Sequence, residues 1–94
     1  MHFVKDVAYV SGFKLVLTFE DGSMKLVDLE PHLDGEVFEP LRDVNYFRTV
    51  CVNPELDTIV WENGADMSPD FLYEIGVSVD ESASVESLLN SKTR

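Results

Sequence analysis

Basic residues are scarce in this chain. Seven Lys and Arg stand against eighteen Asp and Glu, a formal charge of −11. So negative a surface repels phosphate backbones and anionic head groups, which argues against direct nucleic-acid binding by this chain alone and against attachment to an acidic membrane. Long apolar runs are missing too, and none approaches the ~18–20 residues of a membrane span. The opening Met1-His2-Phe3-Val4-Lys5-Asp6 has no charged leader before an apolar block, so a cytoplasmic protein is expected. Cysteine is nearly absent. Cys51 stands alone, which excludes an internal disulfide and leaves any zinc site dependent on the two histidines. It lies in the apolar run Thr49-Val50-Cys51-Val52, where a small buried hydrophobe is expected. The five glycines fall singly in turns, so no phosphate-cradling loop exists.

What remains describes a small globular body. Ninety-four residues with 45% apolar content support one domain with a thin core. Leu15, Leu17 and Phe19 alternate with Lys14, Val16, Thr18 and Glu20, a half-buried strand. Asp21-Gly22 follows, the preferred dipeptide of a two-residue type I′ hairpin, which would set Leu17 against Leu26 and Val16 against Val27. Upstream, Phe3, Val7 and Tyr9 alternate with Val4, Ala8 and Val10. A three-residue Ser11-Gly12-Phe13 loop places Tyr9 by Leu15 and Val7 by Leu17, with Gly12 left-handed. A polar connection follows Leu29 to about Gly35. Short helical turns are expected around Val37–Leu41, limited by Pro40, and after Asp43, which fits an N-cap. Arg48–Asn53 and Thr58–Glu62 read as strands.

The closing helix is the best punctuated element. Ser68 fits its N-cap, Pro69 its first position and Asp70 its positive dipole end, while Met67 and Leu72 are spaced for a hydrophobic staple. Gly76 ends it. The expected fold is α+β: a three-stranded antiparallel meander, a short helical connection, a second β-hairpin and a closing short helix. Residues 1–76 are expected as one compact domain and 77–94 as a mobile C-terminal tail.

Candidate chemistry is sparse. Asp66, Ser68 and Asp70 alternate as in a calcium loop, but Phe71 stands where glycine is required and Pro69 stiffens the segment. No metal site and no cofactor are expected. Asp66, beside the Asn63-Gly64 turn, is expected to lock that turn by accepting backbone N–H bonds, with ligand binding as the sharper alternative. His2 and His32 belong to no ligand-spaced cluster and are expected in solvent. Trp61 is expected in the core, between sheet and helix. Asp28, Glu30, Asp34, Glu36, Glu39 and Asp43 crowd one connection with Arg42 as its only Lys or Arg. Such a face promotes solubility or docks a basic partner.

Several blocks together resemble domain-of-unknown-function family 2442, small bacterial proteins and domains. They are Leu15–Gly22, Val27-Asp28-Leu29, Phe38–Asp43 with Phe47, and the most specific, Ile59–Asp70 ending in Leu72-Tyr73. The resemblance spans about Phe3 to Ile75, with Glu62 where proline is common. It implies a compact α+β domain with no established activity. Some family members continue into a helix-turn-helix domain, which is not expected here, since only eighteen residues follow Gly76. Others are encoded beside a second small protein, in pairs that look like toxin–antitoxin modules.

The leading expectation is therefore a non-catalytic protein-interaction or regulatory domain that uses its acidic surface, antitoxin-like, on a basic protein partner. The alternative is a small-molecule-binding sensory domain at the turn of Trp61, Asn63, Gly64 and Asp66. An enzyme has little to rest on, since nothing singles out a reactive pair among so many acids. Whether Val4, Ala8, Val10, Val16 and Val27 form a second buried face or a homo-oligomer's mating surface is left open by the pattern.

Overall fold

A computed structural model describes residues 1–79. Three strands, β1 (Val4–Ser11), β2 (Lys14–Phe19) and β3 (Met24–Asp28), form the expected meander. Two single 3-10 turns, Glu30–His32 and Glu39–Arg42, lead into a short helix α1 (Val44–Phe47). The second hairpin is β4 (Cys51–Asn53) and β5 (Thr58–Val60), and helix α2 (Pro69–Ile75) closes the fold. Antiparallel sheets with short helices make this a small α+β fold. A last strand, β6 (Val77–Ser78), joins the sheet, whose order is β1-β2-β3-β6. The sheet thus extends past residue 76, where the compact domain was expected to end. Residues 80–94, most of the expected tail, lie outside the described residues.

The first hairpin keeps its expected pairing, but its loop is the two residues Gly12 and Phe13 rather than three. Ser11 stays in β1 opposite Lys14, and a register shift between Tyr9 and Ser11 absorbs Val10. Tyr9 pairs with Leu15 and Val7 with Leu17, and Gly12 has φ +50°. The second departs from the two-residue turn by one position. Leu17 pairs with Lys25, Val16 with Leu26 and Leu15 with Val27. The Gly22 N–H donates to the Phe19 carbonyl at 2.9 Å, and the Phe19 N–H to the Ser23 carbonyl at 2.9 Å. Glu20, Asp21 and Gly22 therefore make a three-residue loop, with Gly22 at φ +85° in the left-handed position that such loops require. A one-residue slip exchanges the faces of a strand. Here it turns Val27 inward, fully buried in line with Leu29, and sends Leu26 to the outer face.

The core lies between the inner sheet face, the β4–β5 hairpin and α2. Phe19, Phe47, Ile59, Trp61 and Leu72 are buried in it. Val4 also joins it, although the alternation assigned it to the opposite face from Val7. A register shift between Val4 and Asp6 turns it inward, and its N–H donates to the Asp57 carbonyl at 2.8 Å. Of the residues left open above, Val4 and Val27 are thus core. Val10 and Val16 are buried on the outer face, where Ala8 is half-buried.

Both helix starts hold as read. The Asp43 carboxylate accepts from the Asn45 N–H at 2.9 Å, and the Ser68 hydroxyl from the Phe71 N–H. Met67 and Leu72 are both buried at their staple positions. Gly76 has an ordinary φ of −72°, so its role is proximity. A Cβ there would stand 2.8 Å from the Lys25 Cβ. That approach lets Lys25 Nζ donate to the Tyr73 carbonyl at 3.1 Å, over the Tyr73 ring, at the negative end of α2.

Candidate functional site

The segment Thr58–Ser68 sets the geometry of the site. Thr58, buried on β5, donates its hydroxyl to the Met67 carbonyl, fixing the residue before the α2 cap. The Trp61 N–H donates to the Ala65 carbonyl and the Gly64 N–H to the Trp61 carbonyl. This is the Glu20–Gly22 loop over again, three residues ending in a left-handed glycine, with Gly64 at φ +90°. Trp61 is buried, as expected, and its indole N–H donates to the Phe47 carbonyl at 2.8 Å. Asn63 makes three bonds. Its Oδ1 accepts from the Ala65 N–H at 3.0 Å, its Nδ2 donates to the Val37 carbonyl at 3.0 Å, and its backbone N–H donates to the Tyr46 hydroxyl at 2.8 Å.

The lock on this turn is therefore Asn63, not Asp66. An asparagine amide offers a donor and an acceptor at once, so it can hold the turn and the Val37 segment together. Asp66 is exposed, and its carboxylate has no hydrogen-bond or ion-pair partner among the described residues.

Asp66 instead lines a groove of about 390 Å³. One wall comes from the connection after β3, with Pro31, His32, Asp34 and Phe38. The other comes from the lead-in and first turn of α2, with Asp66, Met67, Ser68 and Phe71. Phe71 is 37% exposed, and the His32 ring meets it edge-on at 5.1 Å. His32 is thus half-buried against an aromatic rather than in solvent, as the sequence suggested. Of the four turn residues only Asp66 reaches the groove. Trp61, Asn63 and Gly64 serve the fold.

All six acids of the 28–43 connection are exposed. Asp28 accepts from the Glu30 N–H and Asp43 caps α1. Asp34 meets Arg42 Nη2 at 3.6 Å, while Arg42 Nε donates to the Leu33 carbonyl. Asp34 is the one member of this set that lines the groove, so the connection supplies the groove's acidic rim.

Two further placements differ from expectation. Cys51 is exposed rather than buried, because β4 lies in a two-stranded hairpin and half-buried Val52 takes the inward position. His2 is half-buried, stacked on Tyr73 with ring centroids 3.5 Å apart. Its Nδ1 is 3.5 Å from Glu20 Oε2, and its backbone N–H donates to Asp70 at 2.7 Å. His2, Glu20 and Asp21 each bring one ligand-type atom within 4.8 Å of the others. The carboxylates are already engaged. The Phe3 N–H holds the Glu20 carboxyl below its ordinary range. The Ser23 hydroxyl and N–H, helped by the Tyr73 hydroxyl, do the same for Asp21. The arrangement is a clasp tying the chain start to the β2–β3 loop and α2. Nothing in the spacing of residues 2, 20 and 73 could have announced it.

With this geometry in place, one comparison decides the family. A family model described as a protein of unknown function, DUF2442, matches residues 4–78. The chain belongs to the DUF2442 family. The match takes in β6, whereas the resemblance noted from sequence ended near Ile75. No curated protein and no solved structure matches the chain. Among the described residues no helix is long and apolar enough to cross a membrane.

Proposed function

We propose that this DUF2442 protein is a non-catalytic interaction domain that engages a basic protein partner through its acidic connection, in the manner of an antitoxin. One observation carries the reading. Asp28, Glu30, Asp34, Glu36, Glu39 and Asp43 are all exposed on one connection, and Arg42 alone offsets them. A concentrated field of one sign speeds encounter with an opposite charge and loses force as salt rises. The small-molecule alternative has narrower support: the groove beside Asp66 favours it, while Trp61 and Asn63 are committed to the fold.

Co-expression with the product of the neighbouring gene, followed by size-exclusion chromatography, tests the proposal. The expected result is co-elution at low salt that weakens at high salt, and relief by this chain of any growth arrest the neighbour causes. Separate elution at low salt would overturn the reading.

A further inference from the structure

Building on the acidic-docking reading, we infer that the groove between the 31–38 connection and α2 seats an arginine side chain of the partner. Asp66 is the first reason. Its carboxylate is exposed and unengaged among the described residues, because Asn63 has taken over the turn. Asp34 is the second. It lies on the opposite wall, and Arg42 holds it by a single 3.6 Å contact with both side chains largely in solvent. A pair so exposed is weak and exchanges partners readily.

The third reason is apolar. Phe38, Met67 and Phe71 line the same groove, and Phe71 keeps 37% of its surface exposed beside those carboxylates. A guanidinium is flat, weakly hydrated and permanently charged. It stacks on aromatic faces and directs its N–H groups in a fork at carboxylates. Its aliphatic stem covers apolar surface on the way in. A volume of about 390 Å³ lies near the small end of ligand pockets, enough for one long side chain and part of its neighbours. Charge complementarity selects the occupant: the whole chain carries −11, and the groove joins two of its acids to its exposed aromatic.

The test is an NMR titration of the 15N-labelled full chain with the peptide acetyl-Gly-Leu-Arg-Leu-Gly-amide. A matching peptide carries citrulline (the neutral isostere), and arginine amide serves as a free guanidinium. Saturable shifts at the amides of Asp66–Phe71 are expected with the arginine peptide. Citrulline, or Asp66→Asn, should weaken binding roughly threefold to tenfold. Glu55→Gln, an exposed acid on the β4–β5 loop, should leave it unchanged. Each of four outcomes overturns the inference: no saturable shift, equal binding of citrulline, equal effects of the two substitutions, or equal binding of free arginine amide.

Its failure is separable from failure of the docking reading. If the partner still co-elutes with the folded Asp66→Asn/Phe71→Ala variant as with wild type, the groove is not the seat although the docking stands. If arginine peptides bind but the partner never co-elutes at low salt, the docking reading fails and the partner-side assignment of the groove fails with it.

Discussion

Replacing Asn63 with alanine should cost far more than an exposed turn residue normally does. The substitution deletes two side-chain bonds, from the Ala65 N–H and to the Val37 carbonyl, each 3.0 Å long. At about 0.5–1 kcal/mol apiece, the lower part of the range for hydrogen bonds, the loss is about 1–2 kcal/mol. For a domain of this size that corresponds to a fall in Tm of roughly 5–15 °C. Asn63→Asp divides the effect. It keeps the acceptor for Ala65 but turns a second oxygen toward the Val37 carbonyl in place of the donor, so at least half the loss should remain. Thermal unfolding followed by circular dichroism reads both variants, and amide exchange at Val37 and Phe38 reports the freed connection. An Asn63→Ala protein melting within about 2 °C of wild type would refute the reasoning, because the connection would then be held without the amide.

Gly76→Ala should destabilise although φ −72° suits any residue. The new Cβ meets the Lys25 Cβ at 2.8 Å, a clash with the base of a side chain rather than its movable end. The expected cost is about 1–3 kcal/mol in urea unfolding, and a gain in stability would show that α2 is free to back away from β3. Acid should loosen the chain-start clasp. Glu20 and Asp21 have lowered pKa values, the first chiefly through the Phe3 N–H and the second chiefly through the Ser23 hydroxyl. A depressed carboxylate contributes stability above its unfolded pKa and loses it as pH falls through the folded one. Tm should therefore decline below about pH 4, and Glu20→Gln should flatten that decline; an unchanged profile would remove the clasp's share.

Much of this fold is legible where local chemistry has one solution. Ser68, Pro69 and the Met67–Leu72 staple fix the start of α2, and Asp43 fixes α1, because caps depend on residues within a turn of each other. The β2–β3 loop shows where legibility ends. An Asp-Gly pair can be the whole of a two-residue turn or the end of a three-residue one. Either register sets apolar residues opposite each other, so the pattern could not choose. The packed structure chooses, by burying Val27 with Leu29 and bringing Lys25 to the end of α2. Asn63 and Asp66 are hard to tell apart from sequence for a related reason: both side chains can serve a turn, but only the Asn63 amide also reaches Val37. The groove required contact between the connection at 31–38 and residues 66–71, which no local pattern encodes.

The outward thiol of Cys51 carries a practical corollary. As the sole sulfhydryl in the sequence, it offers a unique attachment point for a maleimide fluorophore or spin label on the β4 strand. In air it can also oxidise against a second copy, and such a covalent pair would masquerade as a native dimer in any stoichiometry measurement made without reductant.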